Sequence, residues 1–481
     1  MRFLGTIAFV AIAGALQAQQ PFSLDTAFRT PINKVFVSSV LPLEDGRLVV
    51  SGLMNFQGIS GQPSLAALEP DGSLAPDFAV TGLGRGRITP WEDGKFYVAT
   101  NYAVRRVLPS GHNDSTFIEM STDPLFTAEQ GGDYHVYPDG RVLMSGSHDV
   151  SDPVRGFDGL YSLIWFSNTG YYDTTRAPRA TDGAIYHIAQ LENGQFYCGG
   201  AFTHYEGNTA YALVRVQPDG AYDPSFQTNI LWGEPQTLCP LPDGRVMVGG
   251  DFTFQGGTDT LRLMRFLPDG SLDPIFNTSH TFSRIAPGNL ALIFSITELD
   301  PDHFAVAGYF DQVDGEDHHG IAIFDSSGTL LENYFPGSGA GIWTYMNATG
   351  VTVAGIMPTG DGTDDYWIWG SYHGYDDGTT NDTLQRMVSR LHGLTVGIHE
   401  PERPSWQVQV FPNPGRDVLH IEAAVKGKVD VRVRDTEGRA VLSASAPSGL
   451  LELNSGSLSP GVYLVEVNTA QGRRTVKWTK R

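Results

Sequence analysis

The residues best suited to chemistry stand in two clusters. Asp311-Gln312-Val313-Asp314-Gly315-Glu316-Asp317-His318-His319 crowds carboxylate oxygens beside two imidazoles. Calcium favours such oxygen clusters, but this spacing departs from the calcium loop of helix–loop–helix proteins. A solvated acidic loop is the plainer reading; calcium is the alternative, transition-metal ligation by His318 and His319 is a remoter one, and otherwise no cofactor is expected. The second cluster interleaves Trp343, Tyr345, Tyr366, Trp367, Trp369, Tyr372 and Tyr375 with Asp364, Asp365, Asp376 and Asp377. Aromatic faces stack sugar rings while carboxylates accept from hydroxyls, and two carboxylates at the right separation hydrolyse a glycosidic bond. The same aromatics also suit the interior of a sheet.

Other chemistries lack their signatures. The chain has no GxSxG, no HExxH, no phosphate loop and no Cys/His metal spacing, and Gly82-Leu83-Gly84-Arg85-Gly86 lacks the strand-to-helix setting of a dinucleotide fingerprint. A net charge of −21, with no basic stripe, excludes nucleic acid as partner.

These clusters must be positioned by strands. The 481 residues include 56 Gly, 29 Pro, 26 Phe and 19 Tyr, which favours strands and tight turns, and no long stretch has helical periodicity. Leu241 to Phe276 sets the pattern: Pro242-Asp243-Gly244 and Pro268-Asp269-Gly270 each sit between apolar runs. Pro pre-sets φ and Gly accepts positive φ, as a type I turn with a glycine bulge requires. The first turn recurs with its second residue at Asp45, Asp93, Asp139, Asn193, Asp243, Asp302 and, eroded, near Asp365, a drifting period near fifty. The second hairpin recurs in phase, as in EPDGSLAPDF, QPDGAYDPSF and LPDGSLDPIF. About seven units of four strands describe an all-β chain, a β-propeller.

Local chemistry accounts for the repeated acids and glycines. Asp45, Asp139, Asp243 and Asp269 can hydrogen-bond their own turns, while Asp25, Asp223 and Asp273 precede a strand end. Gly199-Gly200 and Gly249-Gly250 fit close backbone packing or a bulge. Phe22-Ser23-Leu24-Asp25-Thr26-Ala27-Phe28 matches the final strand of a unit, placed before any first strand, and the last unit stops at Met387 to Gly393 without one. The N-terminal strand is therefore expected to complete the seventh unit and close a ring.

Cys198 and Cys239 are the only cysteines; pairing between adjacent units and two free thiols both stay open. Arg2, the apolar run Phe3 to Leu16 and Leu16-Gln17-Ala18 read as a secretory signal, residues 1–18, and no transmembrane span is expected in the mature chain. Residues 19–393 form the repeat domain and 394–405, with Pro401 and Pro404, a linker. From Trp406 to Arg481 there are 11 Lys and Arg against 7 Asp and Glu, so this segment is +4 and the remainder −25. Its short alternating strands predict a small Ig-like β-sandwich over 406–481.

The units at Glu192 to Phe226 and Leu241 to Phe276 resemble the delta-60 repeat family, which implies a propeller-like fold and no shared catalytic residues. The tail resembles the C-terminal sorting domain of type IX secretion substrates. The resemblance rests on Pro412, Asn413, Pro414, Asp435, Gly438, Arg439, Gly461, Val462, Tyr463 and Lys477. It implies a Bacteroidetes-type protein that passes the periplasm and is secreted or held on the outer cell surface, with the type IX machinery as partner. A binding or structural module, with a glycan or surface protein as ligand, is then the expected function. The alternative is a carbohydrate-active enzyme, a glycoside hydrolase or lyase, with its site at the propeller mouth.

Overall fold

The Pro-Asp-Gly turns close as their residues dictate. Leu241 N–H donates to the Arg245 carbonyl (2.8 Å) and Gly244, at φ +84°, donates back to Leu241 (3.0 Å). Asp243 Oδ1 accepts the Arg245 N–H (3.1 Å), and Asp45 and Asp139 repeat this bond with Arg47 and Arg141. The repeated turn aspartates are thus engaged by their own turns.

The computed structural model describes residues 21–393 and 408–481, apart from 258, 286–289, 336, 346–347, 424, 426, 436–438 and 470–471. The expected signal peptide (1–18), linker (394–405) and Gly438 lie outside the described residues. Contacts divide the chain into two compact units, Met1–Val396 and Gly397–Arg481.

In the first unit, successive antiparallel sheets each run from a first strand, here called inner, through a middle to a last, outer one. They begin with Ile32–Pro42, Leu48–Phe56 and Leu65–Leu68, and the fifth comprises Ile230–Pro240, Val246–Phe254 and Leu261–Phe266. The last contains Thr352–Pro358, Tyr366–Asp376 and Asn381–Leu391. Each is covered on both faces, so its strands read as apolar runs: Val246 and Val248 pack toward the preceding sheet, while Met247 packs toward the following one. Cores therefore lie between neighbouring sheets, including one that joins Ile32 and Val37 of the first sheet to Trp367 and Val388 of the last.

The expected fourth strand is shorter than the sequence implied. It reduces to a single bridge, as at Phe266 with Leu272 and Val216 with Tyr222. The chain then turns, because Asp273 Oδ1 takes the Ile275 N–H (3.0 Å) and Pro274 has none to offer a ladder. In the last sheet the same bridge joins Leu391 to Leu24.

Two side-chain devices repeat. Arg265 and Asp273 form an ion pair at 2.8 Å with both side chains 2% exposed, and Arg265 also lies over Phe276. Arg106 with Asp114 and Arg215 with Asp223 are equivalent. The second device is a glycine facing an inner-strand bulge. A Cβ on Gly250 would come within 2.3 Å of the Glu234 carbonyl oxygen, on Gly200 within 2.0 Å of that of Ala184, and on Gly52 within 2.3 Å of that of Phe36. The glycine pair is thus explained by a bulge that lets backbone approach backbone.

The second unit holds two sheets. One is Val408–Phe411, Val418–Ala423 and Leu450–Asn454; the other is Ala440–Ala446, Val429–Arg434, Gly461–Thr469 and Gly472–Lys480. They share a core of Leu419, Ile421, Val431, Val465 and Trp478. Among the described residues no helix is long and apolar enough to cross a membrane.

Candidate functional site: a cleft at the inner-strand ends

A concave site lies where the inner strands of the fifth and sixth sheets begin. Ile230–Pro240 pairs with Val246–Phe254 through two register breaks, one skipping Leu231 and one skipping Gln236. A bulge re-aims the residue it leaves unpaired, and both Leu231 and Gln236 line a cleft of about 480 Å³. Between the breaks, Trp232 faces Thr253 and Glu234 faces Asp251. Trp232 is 65% exposed and Leu290, also in the lining, 64%. Asp182, Thr203 and Tyr211 of the neighbouring fourth unit complete the lining.

The three carboxylates differ in how they are held. Asp182 Oδ1 accepts the N–H groups of Thr203 (2.7 Å) and His204 (2.8 Å). Burial works against its ionisation, but these bonds, with those of the Thr203 hydroxyl and the His204 ring, hold it well below the usual carboxylate range. Asp251 pairs with Arg262, which also donates to the Ala291 carbonyl (2.7 Å). The Glu234 carboxylate makes no hydrogen bond or ion pair among the described residues. The arrangement offers acceptor oxygens around an exposed indole. A larger hollow of about 690 Å³ lies instead between the turns at 44–47 and 93–95, and there Asp45 is engaged by Arg47 at 2.8 Å.

Many side chains of the clusters singled out from sequence have partners within the protein. In the acidic loop, Asp311 Oδ2 accepts the Ile285 N–H (2.9 Å) and faces Arg284 (3.2 Å). Asp314 pairs with His280 (2.6 Å) and accepts the Thr281 N–H (2.8 Å), and His318 is 8% exposed. Among the described residues no group of three or more His, Cys, Asp or Glu is arranged to hold a metal. Tyr366, Trp367, Tyr372 and Tyr375 are buried, and Trp369 donates to the Ser38 carbonyl (3.1 Å). Trp343 stacks on His373 at 4.3 Å, while the side chain of Tyr345 is outside the described ones. Asp377 accepts the Leu24 N–H (2.9 Å) and Asp365 pairs with Arg390 (3.0 Å). Tyr366, Trp367, Tyr372 and Tyr375 are therefore part of the sheet interior, while Trp343 and Trp369 are half-buried. Both cysteines are free; Cys198 is buried, and burial pushes the Cys239 thiol up to about 11.

In the tail, the structure gathers some of the matched residues. Asn413 donates to the Lys477 carbonyl (2.8 Å) and accepts the Thr479 N–H (3.0 Å), while Trp478 donates to the Pro412 carbonyl (2.8 Å). Gly461, Val462 and Tyr463 pair with Lys480, Thr479 and Trp478 on the same last strand. Asp435 and Arg439 form a separate ion pair at 2.9 Å. The cleft residues Asp182, Trp232, Glu234 and Asp251 were not singled out from sequence; the one local sign is an acid between Trp232-Gly233 and Pro235 in a strand otherwise apolar or neutral.

Sheets stacked face to face with their cores between them define a β-propeller-type protein. Residues 192–226 and 241–276 match the β-propeller domain of unknown function DUF5122, and residues 409–481 match the secretion system C-terminal sorting domain. The chain is thus a β-propeller protein that carries a C-terminal sorting domain. No curated protein matches it. Among solved structures it is similar to PorZ, a surface component of the type IX secretion system of Porphyromonas gingivalis (13% identity, TM-score 0.37, 95% of this chain and 61% of that one). It is also similar to regucalcin, a calcium-binding protein of Agrobacterium tumefaciens (13%, 0.36, 80% and 99%). A third is a gluconolactonase of Xanthomonas campestris (12%, 0.32, 78% and 87%). The chain spans about three fifths of the length of the first of these structures.

Proposed function

We propose that this protein is a ligand-binding module, secreted or held on the outer cell surface, exported by a type IX secretion system through residues 406–481 after a signal peptide, 1–18, has taken it to the periplasm. The observation that carries the binding role is the cleft at Trp232, open and lined by acceptors. Residues 19–393 are read as a ring of seven delta-60-like blades closed by the N-terminal strand, 394–405 as a linker, and the tail as a small Ig-like sandwich. Closure is supported by the Leu24–Leu391 bridge and by Ser371 and Trp369 of the last sheet donating to the carbonyls of Val35 (2.8 Å) and Ser38 (3.1 Å) in the first. Deleting 406–481 in a type IX-competent host and fractionating the cells tests the export; the truncated chain should accumulate in the periplasm, and normal release would defeat the assignment.

A second reading, a glycoside hydrolase or lyase, is favoured by one observation: Glu234 stands directly opposite Asp251 in the cleft. Paired carboxylates are the machinery of glycoside hydrolysis. Release of reducing ends from a polysaccharide, lost in both Glu234→Gln and Asp251→Asn, would establish it.

A further inference from the structure

We infer that the Trp232 cleft takes a neutral or amino-bearing oligosaccharide. The inference rests on the binding-module reading and names the ligand class of its site. A sugar ring presents one apolar C–H face and a rim of hydroxyl donors. The cleft supplies the complement: the indole of Trp232, 65% exposed, and around it the carboxylates of Asp182, Glu234 and Asp251 with the amide of Gln236. Hydrogen bonds from hydroxyls to ionised carboxylates are stronger than those between neutral groups. Among the described residues the Glu234 carboxylate has no partner, so a ligand hydroxyl or ammonium meets an acceptor free to receive it.

The same oxygens exclude acidic sugars. Arg262 is engaged by Asp251 and by the Ala291 carbonyl at 2.7 Å, and among the described residues no Lys or Arg lines the cleft. A uronate or sulfate would stand against three carboxylates without compensation. An amino group would gain from them. The volume, about 480 Å³, suits a few sugar units and not a folded partner.

The test titrates the full chain with cellohexaose, mannohexaose, a glucosamine hexamer, hexagalacturonate and hexalysine, following heat and tryptophan fluorescence, and screens a glycan array. Binding of a neutral or amino sugar is expected, weakened roughly tenfold or more in Trp232→Ala and largely retained in Trp232→Phe. The thermal midpoint should be unchanged, since the side chain is exposed. Glu234→Gln should weaken the glucosamine hexamer more than a neutral hexamer. Binding of hexagalacturonate at equal strength, or no neutral or amino sugar bound on the array, overturns the ligand class. If hexalysine or a random heptapeptide library then binds in a Trp232-dependent manner, the module reading survives; if neither does, that reading falls too.

Discussion

The backbone N–H of Asp25 donates to the carbonyl of Arg390 at 2.9 Å, joining the two ends of the repeat unit. The same bond occurs within single units, from Asp223 to Arg215 (3.1 Å) and from Asp273 to Arg265 (2.9 Å). The N-terminal segment therefore occupies in the last sheet the position that SLDPIF occupies in its own. Phe22 and Leu24 lie in the core of the last two sheets, at 1% and 6% exposure.

It follows that Asp377, which receives the Leu24 N–H at 2.9 Å, holds this segment. Asp377→Ala should lower stability by about 1–3 kcal/mol, the cost of an unsatisfied buried donor. Urea denaturation checks it, and deletion of residues 21–28 should do more damage than the point change.

The Arg265–Asp273 pair is buried on both sides. Asp273→Asn leaves a guanidinium without its counter-charge and should cost about 3–5 kcal/mol. Replacing both residues by apolar ones of similar volume should cost less than the single change, and a double-mutant cycle by chemical denaturation measures the difference.

Gly250 faces the Glu234 carbonyl so closely that Gly250→Ala must displace backbone, because the added Cβ would lie 2.3 Å from that oxygen. A loss of about 1–3 kcal/mol is expected, together with weaker ligand binding, since the bulge that aims Gln236 and Glu234 would shift. Gly82→Ala, with nothing within 4 Å, should change neither and is the control.

His135 feels the charges of Arg87 and Asp133. Burial, aided by the Arg87 charge and opposed by Asp133, pushes its pKa down to about 4. The unfolded chain therefore binds the proton first on acidification. Its contribution is intact at neutral pH, declines as pH falls below the ordinary imidazole value of about 6.5, and levels off near the folded value. His135→Gln should flatten that part of the thermal midpoint against pH, measured by calorimetry.

Much of the architecture was legible in the residues. Pro-Asp-Gly turns, apolar runs and the stray SLDTAF segment act through φ preferences and hydrogen bonds that span a few residues, so their order along the chain is enough to read them. The reading overestimated the fourth strand because SLDPIF alternates like one, whereas Asp273 and Pro274 turn the backbone away. It drew attention to Trp367 and Tyr372, whose type suits a sugar surface as well as a core; only packing distinguishes the two.

What the amino-acid sequence by itself determined is the repeating hairpin unit, the change of character near residue 400 and the sorting tail, all carried by local patterns. The cleft was decided by tertiary structure. Trp232 and Asp251 share the fifth sheet, but Asp182 and Leu290 come from loops elsewhere in the chain, and they meet because face-to-face packing aligns the inner-strand ends while two bulges place Leu231 and Gln236 in the lining. Neither the packing of neighbouring sheets nor the direction of a bulged side chain is encoded in the spacing of residues along one strand.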